Sequence, residues 1–157
     1  MLTCPDEPKY LDDLADELIK NNLDNKYQIL LRRCPVDISG RFDAIISKYP
    51  DLIKQAPPLW NFESNSSWTT IYPLSGDVKL LVSTAYYSDV VVNLGSTMAF
   101  DFGMFKKPCI YINYDQVYKV NSNWAVQWIY ELQHFRSMPN KEVIMWWNHK
   151  ESLDSLI

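Results

Sequence analysis

Asp89-Val90-Val91-Val92-Asn93-Leu94-Gly95-Ser96-Thr97 is the stretch that decides the fold. Its centre is continuously apolar and β-branched, as in a strand covered on both faces; a half-solvated strand would alternate. Gly95-Ser96-Thr97 turns directly into a helix that the pattern carries to about Phe105, and Pro108-Cys109-Ile110-Tyr111-Ile112-Asn113 is a second strand of the buried kind. Strand, helix and strand in this order, both strands uniformly apolar, predict a parallel α/β arrangement.

The same alternation extends outward. Before the deciding stretch, Asp77 opens a helix through Tyr87 with Val78, Leu81, Val82 and Ala85 on one face. Tyr27 to Arg32 reads as a central strand closed by Pro35, and Phe42, Ile45, Ile46 and Tyr49 step at helical spacing up to Pro50. From Pro8, Leu11, Leu14, Leu18 and Ile19 make the apolar face of a helix ending near Asn21-Asn22, with Asp12, Asp13, Asp16 and Glu17 opposite. Gln55 to Pro73 carries Pro57, Pro58, Trp60, Trp68 and Pro73 without sustained period, so a long loop with one or two short strands is expected. Beyond it, Trp124 to His134 predicts a helix, and Glu142 to Trp147 a last strand whose adjacent Trp146 and Trp147 face opposite layers. Asn148 with Glu151 forms a capping-box-like start for a terminal helix through Leu153, Leu156 and Ile157. Met1 to Pro5 reads as the tail of a strand, so the chain is expected to be one domain, residues 1–157, excised from a longer protein.

Composition sets limits on function. A chain of 157 residues buries roughly 70 % of its unfolded surface and has room for one core. Fifteen Lys and Arg against nineteen Asp and Glu leave a net charge of −4, the wrong sign for a nucleic-acid backbone binder. No apolar run is long enough to span a bilayer, and without a charged region followed by an apolar stretch at the start no signal peptide is expected. Cys4, Cys34 and Cys109 fit neither a zinc pattern nor a disulfide framework, and His134 and His149 lack partners at ligand spacing, so neither a metal nor a cofactor is expected. Most of the six tryptophans and ten tyrosines are expected in packing; Trp60, Trp68 and Tyr72, in the irregular loop, are candidates for exposure, either to a nucleotide base near Tyr72-Pro73 or to a missing domain.

Chemistry concentrates at Gly95 to Asp101. In an open parallel sheet the ligand lies beyond the carboxyl ends of the strands, where a helix start aims free N–H groups at an anion. Gly95 permits close approach, Ser96 and Thr97 add hydroxyls, and Asp101, one turn on from Thr97, suits ribose hydroxyls. A plainer role is equally open: Ser96 or Thr97 caps the helix and Asp101 is solvated.

This stretch, followed by Lys107-Pro108, resembles the donor-binding half of GT-B-fold glycosyltransferases and their relatives, the CDP-glycerol glycerophosphotransferases and non-hydrolysing UDP-N-acetylglucosamine 2-epimerases. There a paired Ser/Ser-or-Thr, then an acidic residue, begins the helix after a buried strand, and a Gly-x-Pro turn ends it; Ser96, Thr97, Asp101 and Pro108 match, with Lys106 and Lys107 in the turn where the glycine would be. Leu30-Leu31-Arg32-Arg33-Cys34-Pro35 is similar to the strand-ending Arg-x-His-Pro segment of polysaccharide glycosyltransferases, with Cys34 where the phosphate-facing His would stand. A cysteine supplies neither the charge nor the hydrogen bonds of an imidazole.

The resemblance implies a three-layer α/β/α sandwich with a doubly wound, mainly parallel sheet of about five or six strands, the Rossmann-like half of a GT-B protein. It implies a nucleotide-sugar donor as ligand, a separate N-terminal acceptor-binding domain as partner, and a role in bacterial surface or capsular polysaccharide synthesis, in the cytoplasm or peripheral to the inner membrane. Arg32, Gly95, Ser96 and Thr97 would hold phosphates, Asp101 the ribose, and Asp115 and Gln116 donor-sugar hydroxyls. The chain by itself is expected to transfer no sugar, no residue of it being assigned to catalysis. An epimerase or glycerophosphotransferase half-site, or a non-catalytic transferase-associated module, are the alternatives.

Overall fold

A computed structural model describes residues 4–62, 71–136 and 140–157, with the side chains of His134 and Lys141 outside the description. Met1 to Thr3, read as strand, and Trp68 lie outside the described residues. The elements run α1 (Glu7–Lys20), β1 (Ile29–Leu31), α2 (Asp43–Lys48), β2 (Ile53–Gln55), β3 (Trp60–Asn61), β4 (Tyr72–Pro73), α3 (Ser75–Tyr87), β5 (Val91–Asn93), α4 (Met98–Met104), β6 (Cys109–Ile112), α5 (Gln127–Tyr130), α6 (Gln133–Arg136) and β7 (Met145–Trp147). 3₁₀ segments precede and follow β7, one turn at Lys141–Val143 and two turns at Lys150–Ser155.

The chain is mixed α/β, and its parallel pairing follows the alternation read from the sequence. β5, β6 and β7 form a parallel sheet in that order, with Val91 opposite Cys109 and Ile110 opposite Met145. β1 pairs in parallel with β2, and β3 with β4 antiparallel. The described strands thus form three small sheets where one continuous sheet was expected. β1, expected to be central, pairs with β2 alone among the described strands, and its Leu30 is 44 % exposed. β2 follows Pro50 as a short strand that the irregular local composition does not announce.

β6 is the strand around which the core is built, and all four of its residues are buried. Side chains alternate across a strand, so Ile110 and Ile112 join a cluster with Ala15, Leu18, Trp124, Val126, Trp147 and Leu153, while Cys109 and Tyr111 join Phe135 and Ile144 on the opposite face. Trp147 packs with the first cluster and Trp146 against the second, as adjacent strand positions require.

Helix faces depart from the sequence reading where a second neighbour covers them. In α1 the buried arc is Tyr10, Leu11, Ala15, Glu17 and Leu18, while Ile19 is 44 % exposed. Two neighbours flank this arc: the Tyr10 hydroxyl donates to the Tyr114 carbonyl at 2.7 Å, and Lys150, at the start of the second 3₁₀ segment, reaches back to Asp13 at 2.8 Å and Asp16 at 3.3 Å. α3 buries Asp77 and Ala85 and leaves Val78 and Val82 out, so its apolar face is rotated from the predicted one. The predicted helix from Trp124 to His134 is broken into the single turns α5 and α6. Asn148 does not cap the last turn: His149 holds the cap position and the Asn148 Oδ1 accepts a hydrogen bond from Asn113 instead.

Candidate functional site

Parallel pairing ends β6 and β7 side by side, Ile112 opposite Trp147, so Asn113 and Asn148 leave the sheet together at its carboxyl edge. The Asn113 amide N–H donates to the Trp147 carbonyl at 2.8 Å, extending the ladder by one residue. Beyond it lies a crevice of ≈ 400 Å³ lined by Asn113, Gln127, Tyr130, Glu131, Phe135, Trp146 and Asn148. The carboxyl edge of a parallel sheet is where α/β proteins place ligands, and the volume is that of a small-molecule site.

A chain of amides runs along this crevice. Gln127 Nε2 donates to Asn113 Oδ1 at 2.5 Å, Asn113 Nδ2 to Asn148 Oδ1 at 2.7 Å, and Asn148 Nδ2 to the Trp146 carbonyl at 3.2 Å. The walls are aromatic: Tyr130 stands edge-on to Trp146 at 4.9 Å between centroids and stacks on Tyr111 at 5.6 Å. Burial pushes the Tyr130 and Tyr111 phenols well above their ordinary range, so both are neutral donors at any physiological pH. Tyr130 gives its hydroxyl hydrogen to the Ile112 carbonyl, and Tyr111 gives its own to the Ser96 carbonyl at 3.0 Å.

The Gly95 turn adjoins this crevice. Asn93, the last residue of β5, accepts from the Ser96 amide at 2.8 Å, and Ser96 Oγ accepts from the Met98 amide at 3.2 Å. Gly95 has φ +64, and a Cβ there would lie 2.4 Å from Ile129 Cγ2 and 3.2 Å from both Phe135 Cζ and Tyr130 Cε1. The close approach to Gly95 expected of a phosphate is therefore made by the α5–α6 segment. Tyr130 and Phe135 serve both as crevice wall and as cover for Gly95. Ser96 caps its own turn, whereas Thr97, at the N-cap position of α4, and Asp101, on α4, are exposed.

Arg32 leaves the end of β1 and pairs with Asp77, Nη2 to Oδ1 at 2.8 Å, each side chain less than a tenth exposed. Asp77 also accepts from the Leu59 amide at 2.8 Å and the Trp60 indole at 2.9 Å. Burial raises the Asp77 carboxyl, but the hydrogen bonds from Arg32, Leu59 and Trp60 outweigh it and hold the group below the usual carboxylate range. Nη1 of Arg32 is buried without a hydrogen-bond partner among the described residues. The neighbouring Arg33 donates to the Ser39 carbonyl at 3.1 Å.

The remaining predicted contacts are spread over the molecule. Asp115 accepts from the Val126 amide at 3.0 Å, and Gln116 donates to Asp13 at 2.6 Å, so both brace loops against helices. Tyr72, on β4, is 50 % exposed. The crevice residues were not selected from the sequence; the signal for them is a pair of asparagines, Asn113 and Asn148, each just past a buried strand. Asp77, read as a helix start, is the partner of Arg32. Among the described residues no group of three or more His, Cys, Asp or Glu is placed to hold a metal ion, and no helix is long and apolar enough to cross a membrane.

Compared with known proteins, the chain matches no family model, no curated protein and no solved structure.

Proposed function

We propose that this chain is a nucleotide-sugar-binding domain, the donor half of a GT-B-type glycosyltransferase acting in bacterial surface polysaccharide synthesis. The observation that carries the reading is the crevice beyond the carboxyl ends of the parallel strands β6 and β7, with the strand–Gly95-Ser96-Thr97–helix segment beside it. In this reading β2, β1, β5, β6 and β7 are parts of one doubly wound sheet in a three-layer sandwich. Its support is that Ile29, Leu31, Val90, Val92, Ile110 and Ile112 share one core cluster, and that both faces of β6 are covered.

Thr97 and Asp101, exposed and one helical turn apart, are the residues through which α4 would hold a diphosphate and a ribose. Holding the leaving diphosphate is the work of such a domain, because charge develops there as the acceptor attacks the sugar. Arg32 joins the site only if a phosphate replaces Asp77 as its partner. That exchange is what separates this reading from a second one, a transferase-associated module that has kept the fold and lost nucleotide binding. The Arg32–Asp77 pair, the cover over Gly95 and Cys34 in place of histidine favour that second reading.

Thermal-shift and calorimetric titration with UDP, GDP, CDP and their sugars tests the choice. Stabilisation by one nucleotide class supports the donor domain; no binding by any of them removes it in favour of the module. Product analysis with the donor that binds would separate transferase from epimerase or glycerophosphotransferase chemistry.

A further inference from the structure

The crevice has a hydrogen-bonding inventory unlike that of a phosphate site. After the bonds of the amide chain are counted, Asn113 and Asn148 each keep one N–H, and Gln127 keeps one N–H and its carbonyl. Glu131, exposed at the rim, adds a carboxylate that only accepts. No lysine or arginine is among the described residues lining the space. A dianion placed there would face a carboxylate with no cation among the described lining residues to offset it. A ring bearing hydroxyls, each both donor and acceptor, would find a partner of either kind within reach, and its C–H face would find the rings of Tyr130 and Trp146, set at 84° to each other.

We propose that this crevice seats a neutral sugar ring, with Asn113, Gln127 and Asn148 reading its hydroxyls and Glu131 accepting from one of them. The assignment rests on the donor-domain reading for the attachment of that sugar to a nucleotide, and on the crevice's own groups for the sugar itself. The amide chain contributes preorganisation: each amide is oriented by the next, so a hydroxyl meets fixed partners and little rotamer freedom is lost on binding.

Saturation-transfer NMR of the chain with glucose, galactose, mannose and N-acetylglucosamine tests it, with phosphorus line broadening of inorganic phosphate as the anion control. At least one sugar should receive saturation and phosphate should not broaden. Asn148→Ala and Glu131→Gln, both at exposed positions, should each cut the sugar effect about fivefold while circular dichroism and Tm stay unchanged. Saturation of no sugar in the panel, or an effect equal in wild type and both variants, would overturn the assignment. The nucleotide titration is read beside it: a sugar signal without nucleotide binding upholds the crevice and ends the donor-domain reading, and nucleotide binding without a sugar signal overturns the crevice alone.

Discussion

Asp77 shows how much one side chain can be asked to organise. Its two oxygens take a guanidinium from the residue after β1 and a backbone amide and an indole N–H from the adjacent Leu59 and Trp60, so a single carboxylate ties α3 to two distant pieces of chain. Removing it leaves Arg32 charged, buried and unpaired. Asp77→Ala should therefore cost about 3–5 kcal/mol in urea denaturation. A loss below 1 kcal/mol would mean that Arg32 reaches water or another partner. Asp101 is the opposite case, an exposed carboxylate without structural duty in the described chain. In the donor-domain reading, Asp101→Asn weakens nucleotide binding about tenfold to a hundredfold with Tm unchanged, by calorimetry. Equal affinities would take Asp101 out of the site. Arg32 was legible as a strand-end cation but its partner was not, because Asp77 is 45 residues away and a lone acid at a helix start looks like a cap.

At the scale of elements, the ends of helices carry the information. α4 ends with Lys106 at φ 56, its amide bonded to the Gly103 carbonyl and that of Lys107 to the Phe102 carbonyl. This is a Schellman turn, whose left-handed residue is usually glycine. α1 ends in the same motif at Asn22, φ 57, a residue that tolerates it better. Lys106→Gly should stabilise the protein by about 0.5–1 kcal/mol, the relief of strain less the entropy of a freer unfolded chain. A lowered Tm would show that the lysine side chain contributes a contact. Gly95 is the reverse test. Gly95→Ala should cost about 2–4 kcal/mol, from the left-handed conformation and from the methyl that would meet Ile129. In a Gly95→Ala/Ile129→Ala pair the losses should be less than additive by about 1 kcal/mol, measured by a double-mutant cycle in urea. Strict additivity would mean that α5 does not lie over the turn.

For the whole molecule, acid sensitivity follows from opposing carboxyls. Burial raises Asp16, Asp37 and Asp77, and in each the hydrogen bonds and charges of neighbours win: Tyr49 and Lys150 on Asp16, Ser39 and Arg41 on Asp37, Arg32 on Asp77. All three release their protons more readily folded than unfolded. Each contributes stability above the ordinary carboxylate pKa, lost as pH falls through the lower folded value. Glu7 is shifted the other way, raised chiefly by burial, so its contribution is present in acid and is lost as pH rises through its folded value. With three lowered against one raised among the described carboxyls, the unfolding free energy should fall as pH drops below the ordinary carboxylate range, and Asp77→Asn should flatten that fall. An acid limb as steep in the variant as in wild type would show that Asp77 is not among the groups that drive it.

What the sequence determined by itself is what depends on near neighbours. Continuous apolar runs made β5 and β6 legible, helical spacing located α1, α2 and α3, the Gly95-Ser96-Thr97 turn located α4, and adjacency alone put Trp146 and Trp147 on opposite faces. These are local effects of backbone sterics and side-chain periodicity, and they are present in any window of ten or fifteen residues. The tertiary structure decided everything that needs two distant pieces of chain. It turned Val78 and Val82 outward so that Asp77 could meet Arg32, and broke the helix at Trp124 to His134 into two turns lying over Gly95. It also ended β6 and β7 in register, so that Asn113 and Asn148 could form a site that neither asparagine announces. The physical reason is that a short strand or turn gains too little from its own residues to fix its environment, and takes the one that completes the burial and hydrogen bonds of its partners.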